Sequence, residues 1–242
     1  MAAALAWGAL SASSLIIGAL LGLARDWPDK LVGAVLAFGA GALISAVSFD
    51  LAEEGAQLGG GDSVAIGLAA GALTYFVAHR LVDRIGGPRP KAPSAAPENA
   101  DAGPALALGA FLDGIPEQLV LGITLAAGDG VSVGLLAAIF VSNLPEAVGS
   151  SSAMRKDHPP GTIIRLWLFV ATVCTLATVA GFAIADAVSG DTQAIIDGFA
   201  AGALLVMLID SMVPEAARRA GDIAGLLTVL GFAVAAGLSG LS

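Results

Sequence analysis

Asp113 and Glu117 stand four residues apart in the stretch Gly109 to Gly122, GAFLDGIPEQLVLG, with Pro116 directly before the glutamate. On a helix that spacing puts both carboxylates on one face, one turn apart. Pro116 has no N–H and its ring crowds the carbonyl four residues back, so the C=O of Leu112 loses its helical partner. Two carboxylates and a freed carbonyl have the chemistry of a cation site. The competing reading is a kinked helix whose acids are protonated or hydrogen-bonded structural residues. A second Pro-Glu pair stands in SNLPEA, where Ser142 and Asn143 precede Pro145 and Glu146. A third stands in DSMVPEA, where Asp210 and Ser211 precede Glu215, and Asp50, Glu53 and Glu54 form a further acidic group.

All these acids lie in apolar surroundings, and no Lys or Arg is expected to face them at depth. An ionised acid near a bilayer centre costs about 2.5 to 3.5 kcal/mol on insertion scales. Protons, a bound metal, or both in exchange must therefore neutralise them.

The elements that carry these residues are membrane helices. The chain of 242 residues is 57% hydrophobic and 13% charged, which excludes an ordinary soluble domain, and its mean hydropathy is +0.86. A hydrocarbon core of about 30 Å needs roughly 20 apolar residues per helix. Eight such spans are predicted, near 2–24, 32–58, 63–83, 104–127, 131–154, 162–187, 192–218 and 222–241. The first is read as a retained helix, because no base precedes it and it is too long for a signal-peptide core. The single cysteine, Cys174, excludes an intrachain disulfide and is read as a packing residue. The thirty-two glycines allow close approach between membrane helices.

All eleven Lys and Arg residues flank alternate connections: Arg25 and Lys30; Arg80, Arg84, Arg89 and Lys91; Arg155, Lys156 and Arg165; Arg218 and Arg219. The other connections carry Asp62, Asp129 and Asp191 and no base. The positive-inside rule then puts both termini outside the cytoplasm, which an even number of spans requires, in a multi-pass protein of the cell membrane. The formal charge of −9 reflects acids inside apolar spans as much as an acidic surface. Residues 86–104, GGPRPKAPSAAPENADAGP, read as a flexible cytoplasmic loop between the third and fourth spans of a single transmembrane domain.

Internal similarity links the spans. DGIPEQ aligns with SNLPEA at an offset of 29 residues, placing Pro116 on Pro145, Glu117 on Glu146 and Asp113 on Ser142. Phe38 to Gly60 aligns with Phe199 to Gly221 at an offset of 161, placing Glu54 on Glu215. In the expected topology the members of each pair run in opposite directions. Inverted repeats with interrupted helices are a transporter arrangement, with the substrate site where the repeats meet.

On these residues the chain resembles the ZIP (Zrt/Irt-like) family of divalent metal transporters, in particular its GufA-like prokaryotic branch. The family's fourth helix usually reads His-Asn-x-Pro-Glu-Gly; here Asp113 stands for the histidine, Gly114 for the asparagine and Gln118 for the glycine. Its fifth helix carries a His or Gln where this chain has Ser142, followed here by Asn143 and Glu146. The resemblance implies eight helices in a 3+2+3 arrangement and a main metal site of Asp113, Glu117, Ser142 and Glu146, with Asn143 lining a second position. It implies Glu215 at the cytoplasmic exit, a homodimer, and a moving group of spans one, four, five and six against two, three, seven and eight. Glu54, near the outer end of span two, is read as an entry acid or, like Glu215, a proton acceptor; the competing reading of Asp50, Glu53 and Glu54 is an interfacial cluster facing headgroup water. His79 and His158 fall at span ends and are read as solvated, not as ligands.

The expected function is transport of a divalent metal toward the cytoplasm, with no resident cofactor, no nucleic-acid partner and no enzymatic activity. The cargo is zinc, iron, manganese, cadmium or a related ion. A site dominated by oxygen ligands shifts the preference toward harder cations relative to zinc. The alternatives are a proton-driven carrier of another substrate and a metal-binding membrane sensor. An intramembrane hydrolase lacks support, because the chain has no His-Glu-x-x-His and no Ser/His pair at depth.

Overall fold

A backbone in hydrocarbon has no water to bond with, so apolar runs of this length satisfy their N–H and C=O groups internally, as helix. The computed structural model describes residues 1–86, 102–126, 132–188 and 190–239, and every regular element among them is helical. The elements are α1 (Ala2–Ala24), α2 (Asp29–Ala46), α3 (Glu54–Gly86), α4 (Ala102–Ala126), α5 (Val133–Met154), α6 (Pro160–Asp186), α7 (Asp191–Met207), α8 (Val213–Ala220) and α9 (Ala224–Ser239). The loop expected over 86–104 lies outside the described residues except at its edges, where α3 ends and α4 begins, and Asp129 also lies outside them.

Among the described residues, five segments are long and apolar enough to cross a membrane: Ala2–Ala24, Asp29–Leu81, Val133–Met154, Pro160–Asp186 and Asp191–Leu238. Their outward faces are apolar too, with Ile66, Leu73, Phe169, Leu176, Leu226 and Val229 exposed. Such a surface suits lipid, and the chain is a multi-pass membrane protein. Two of the segments reach 53 and 48 residues, well beyond the roughly 20 that one crossing needs. Each is interrupted by a glycine at positive φ, Gly60 at 82° and Gly221 at 67°.

The stretches that align 161 residues apart carry the same irregularities at the same places. α2 runs into a π-helical turn at Val47–Glu53 and α7 into one at Leu208–Met212, and Gly60 and Gly221 close the two stretches. π-turns interrupt the regular i to i+4 ladder. The packing corresponds as well: a Cβ on Gly231 would collide with the Phe38 carbonyl, and one on Gly71 with the Phe199 carbonyl. Thus α9 lies on α2 much as α3 lies on α7.

Two cores form. The larger centres on α2, α7 and the π-turns, with Leu36, Leu43, Leu51, Leu204, Met207 and Met212, and receives Leu121 from α4 and Ile139 from α5. The smaller closes around Trp167 between α1, α5 and α6, with Leu15, Ala147, Ile163 and Val170. α4 packs chiefly on α6, α1 on α5 and α6, α3 on α7, and α2 on α9, α5 and α8.

Candidate metal centre

The two acids of α4 are buried, with α3 and α5 reaching them. Asp113 is 6% exposed and Glu117 1%. Pro116 lies within α4 and Pro145 within α5, so each helix loses one backbone hydrogen bond close to its acid. Neutral donors hold the carboxylates. The Tyr75 hydroxyl, from α3, donates to Asp113 Oδ1 at 2.6 Å. From α5, Ser142 Oγ donates to Glu117 Oε1 at 3.1 Å and Asn143 Nδ2 to Glu117 Oε2 at 2.9 Å. Both α5 side chains also reach the Ile139 carbonyl, at 2.9 Å from Ser142 Oγ and 3.0 Å from Asn143 Nδ2.

Small residues bring the walls in. A Cβ on Gly39 of α2 would come within 3.0 Å of Ser142 Cα, so α2 passes directly behind Ser142. A Cβ on Gly114 would lie 3.1 Å from Cys174 Sγ and 3.7 Å from Asn143 Oδ1. The buried thiol of α6 therefore lines the wall beside Asn143. Gln118, next to Glu117, turns the other way: its Nε2 donates to Ser11 Oγ of α1 at 3.0 Å, and its Oε1 accepts from Thr178 Oγ1 of α6 at 2.7 Å.

The structure joins Glu117 with Ser142 and Asn143 and places Asp113 one turn away on the same helix. Glu146 lies one turn beyond Ser142 on α5, half-buried. Among the described residues, no three His, Cys, Asp or Glu side chains are gathered closely enough to hold a metal ion. The set as it stands is thus two carboxylates with oxygen and amide donors around them. It can accept a cation at carboxylate oxygens, with Asn143 Oδ1 and Cys174 Sγ close by.

The remaining acids are spread along the flanks. Asp50, on the first π-turn, accepts from Ser132 Oγ at 2.8 Å, and the same hydroxyl caps α5 by accepting from the Leu135 N–H at 3.1 Å. Glu53 is exposed and Glu54 half-buried; on the second π-turn Asp210 is exposed and Ser211 half-buried. Glu215 corrects the expectation of acids without bases, because Arg218 and Arg219 both grip its carboxylate. Arg219 Nη1 also reaches Asp29 Oδ1 at 3.0 Å. The i,i+3 and i,i+4 spacing of these arginines after the glutamate was the signal for that pairing. Sequence reasoning also passed over Asp197, buried on α7 with Gln193 Nε2 donating to its Oδ1 at 2.9 Å, and over Tyr75 as a site residue. Tyr75 is the chain's one tyrosine, a polar-tipped ring in an apolar run, which was its only signal.

No family model matches the chain. It is a distant homologue of an Arabidopsis thaliana protein named "putative zinc transporter", with 31% identity over 186 residues. The match takes in 75% of this chain and 29% of that protein, so the chain spans under a third of its relative's length.

Proposed function

We propose that the chain is a ZIP-like divalent metal transporter that moves its cargo toward the cytoplasm. The observation that carries this reading is the pair of buried carboxylates one turn apart on proline-interrupted α4, facing Ser142 and Asn143 of α5. The name of the plant relative supports a metal as the substrate class. In this reading the two long segments cross twice each, turning at Gly60 and Gly221, and with α1, α4, α5 and α6 they make eight crossings. The two termini then lie outside the cytoplasm, the inverted repeats meet at the site, and the protein works as a homodimer. Asp113, Glu117, Ser142, Asn143 and Glu146 bind the ion; Asp50, Glu53 and Glu54 line the outer approach, and Asp210, Ser211 and Glu215 the inner one.

Uptake of Zn²⁺, Cd²⁺, Mn²⁺, Fe²⁺ and Mg²⁺ into proteoliposomes tests this. Wild type should move at least one of them, and Glu117→Ala and Glu146→Ala should each abolish that flux. One observation favours a proton carrier as the second reading: both carboxylates accept from neutral donors, and among the described residues no three His, Cys, Asp or Glu side chains are gathered. Proton leak through wild type that needs no metal and is lost in Glu117→Ala would decide for it.

A further inference from the structure

Asp113 accepts a hydrogen bond from α3, a helix that packs chiefly on α7. Tyr75 is itself buried, at 8% exposure, so its hydroxyl is kept out of water and presented to the carboxylate. The 2.6 Å separation is short for an O–H to oxygen hydrogen bond and typical of a charge-assisted one. His79, one turn along α3, packs its ring 5.8 Å from the phenol ring at a tilt of 52° and helps fix the ring's orientation. A carboxylate on a helix has free rotation about two side-chain bonds, and one directed donor removes most of it. A carboxylate also has two oxygens, so a phenol and a cation can share it.

We infer that Tyr75 is a positioning residue for the metal site: its hydroxyl orients Asp113 toward Glu117 so that the two carboxylates of α4 bind one divalent cation together. Tyr75 itself does not ligate. The inference rests on the metal-transport reading and adds a residue from outside the two site helices. Ligand-orienting partners of this kind typically cost 10- to 100-fold in metal affinity when removed.

Calorimetric titration of the purified full chain with Cd²⁺, beside Cd²⁺ uptake in proteoliposomes, tests it. Tyr75→Phe should weaken binding roughly 10- to 100-fold and raise KM for uptake by the same factor, with the maximal rate unchanged. On an Asp113→Asn background the same substitution should change Kd less than about twofold, because the group it orients no longer carries the charge. An unchanged Kd in Tyr75→Phe, or the same fold-change on both backgrounds, overturns the inference while leaving metal transport standing. A wild type that binds no divalent cation overturns both. Infrared difference spectra of wild type give a readout independent of the variants' folding, since the chain has a single tyrosine. Cd²⁺ should shift the tyrosine ring bands, and Cd²⁺ binding without a shift overturns the inference.

Discussion

Ser142 has one hydroxyl proton to offer, and it faces two acceptors, the Ile139 carbonyl at 2.9 Å and Glu117 Oε1 at 3.1 Å. Asn143 has two amide protons and serves the Ile139 carbonyl and Glu117 Oε2 at once. The two donors to Glu117 are therefore unequal, although they are neighbours in sequence. A hydrogen bond to a charged group contributes about 1.5 to 3 kcal/mol. Asn143→Ala should accordingly weaken Cd²⁺ binding by about tenfold or more, and Ser142→Ala by several-fold less, as read by titration calorimetry. Equal losses would show that the hydroxyl proton is not shared. At this scale the sequence was legible where chemistry is local. The i,i+4 acids and the Pro-Glu pairs are visible in six-residue windows. Tyr75, Cys174 and Gln118 were not, because each meets its site through a contact between helices 38 or more residues apart in the chain, for which no local pattern exists.

Helices α2 and α7 show how far internal similarity reaches at the scale of the element. The alignment of Phe38–Gly60 with Phe199–Gly221 was legible as residue identities, and the structure turns it into paired π-turns and paired glycines at positive φ. The π-turns themselves were not legible, since no residue type demands one. Gly60 has φ 82° and ψ 161°, a region open essentially to glycine alone, and a Cβ there would meet nothing within 4 Å. The cost of a side chain at this point is therefore purely one of backbone conformation, about 1 to 3 kcal/mol. Gly60→Ala and Gly221→Ala should each lower the thermal midpoint in detergent. Gly61→Ala, also in open space but at an ordinary φ, should not. A Gly61 variant as unstable as the Gly60 variant would contradict this account.

For the whole molecule, charge placement and hydropathy point to the same topology, and one chemical property of the chain makes it easy to check. Its single cysteine is buried, so it gives little background to a membrane-impermeant maleimide. In right-side-out vesicles Asp62→Cys should label without permeabilisation and Lys156→Cys only after it; the reverse pattern would invert the protein in the membrane. Which helices pack on which was not legible from residue pattern, because every span is apolar and glycine-rich and helix partnership depends on which small residues meet.

Gln118 makes one of those partnerships more than a packing preference. With its amide joined to α1 through Ser11 and to α6 through Thr178, α4 cannot turn its acidic face without leaving three polar groups stranded in a dry interior. An unmet polar group in such an interior costs on the order of 1 to 3 kcal/mol, so Gln118 works as a rivet: a substitution at Ser11 or Thr178, far apart in the chain, loosens the same helix from behind.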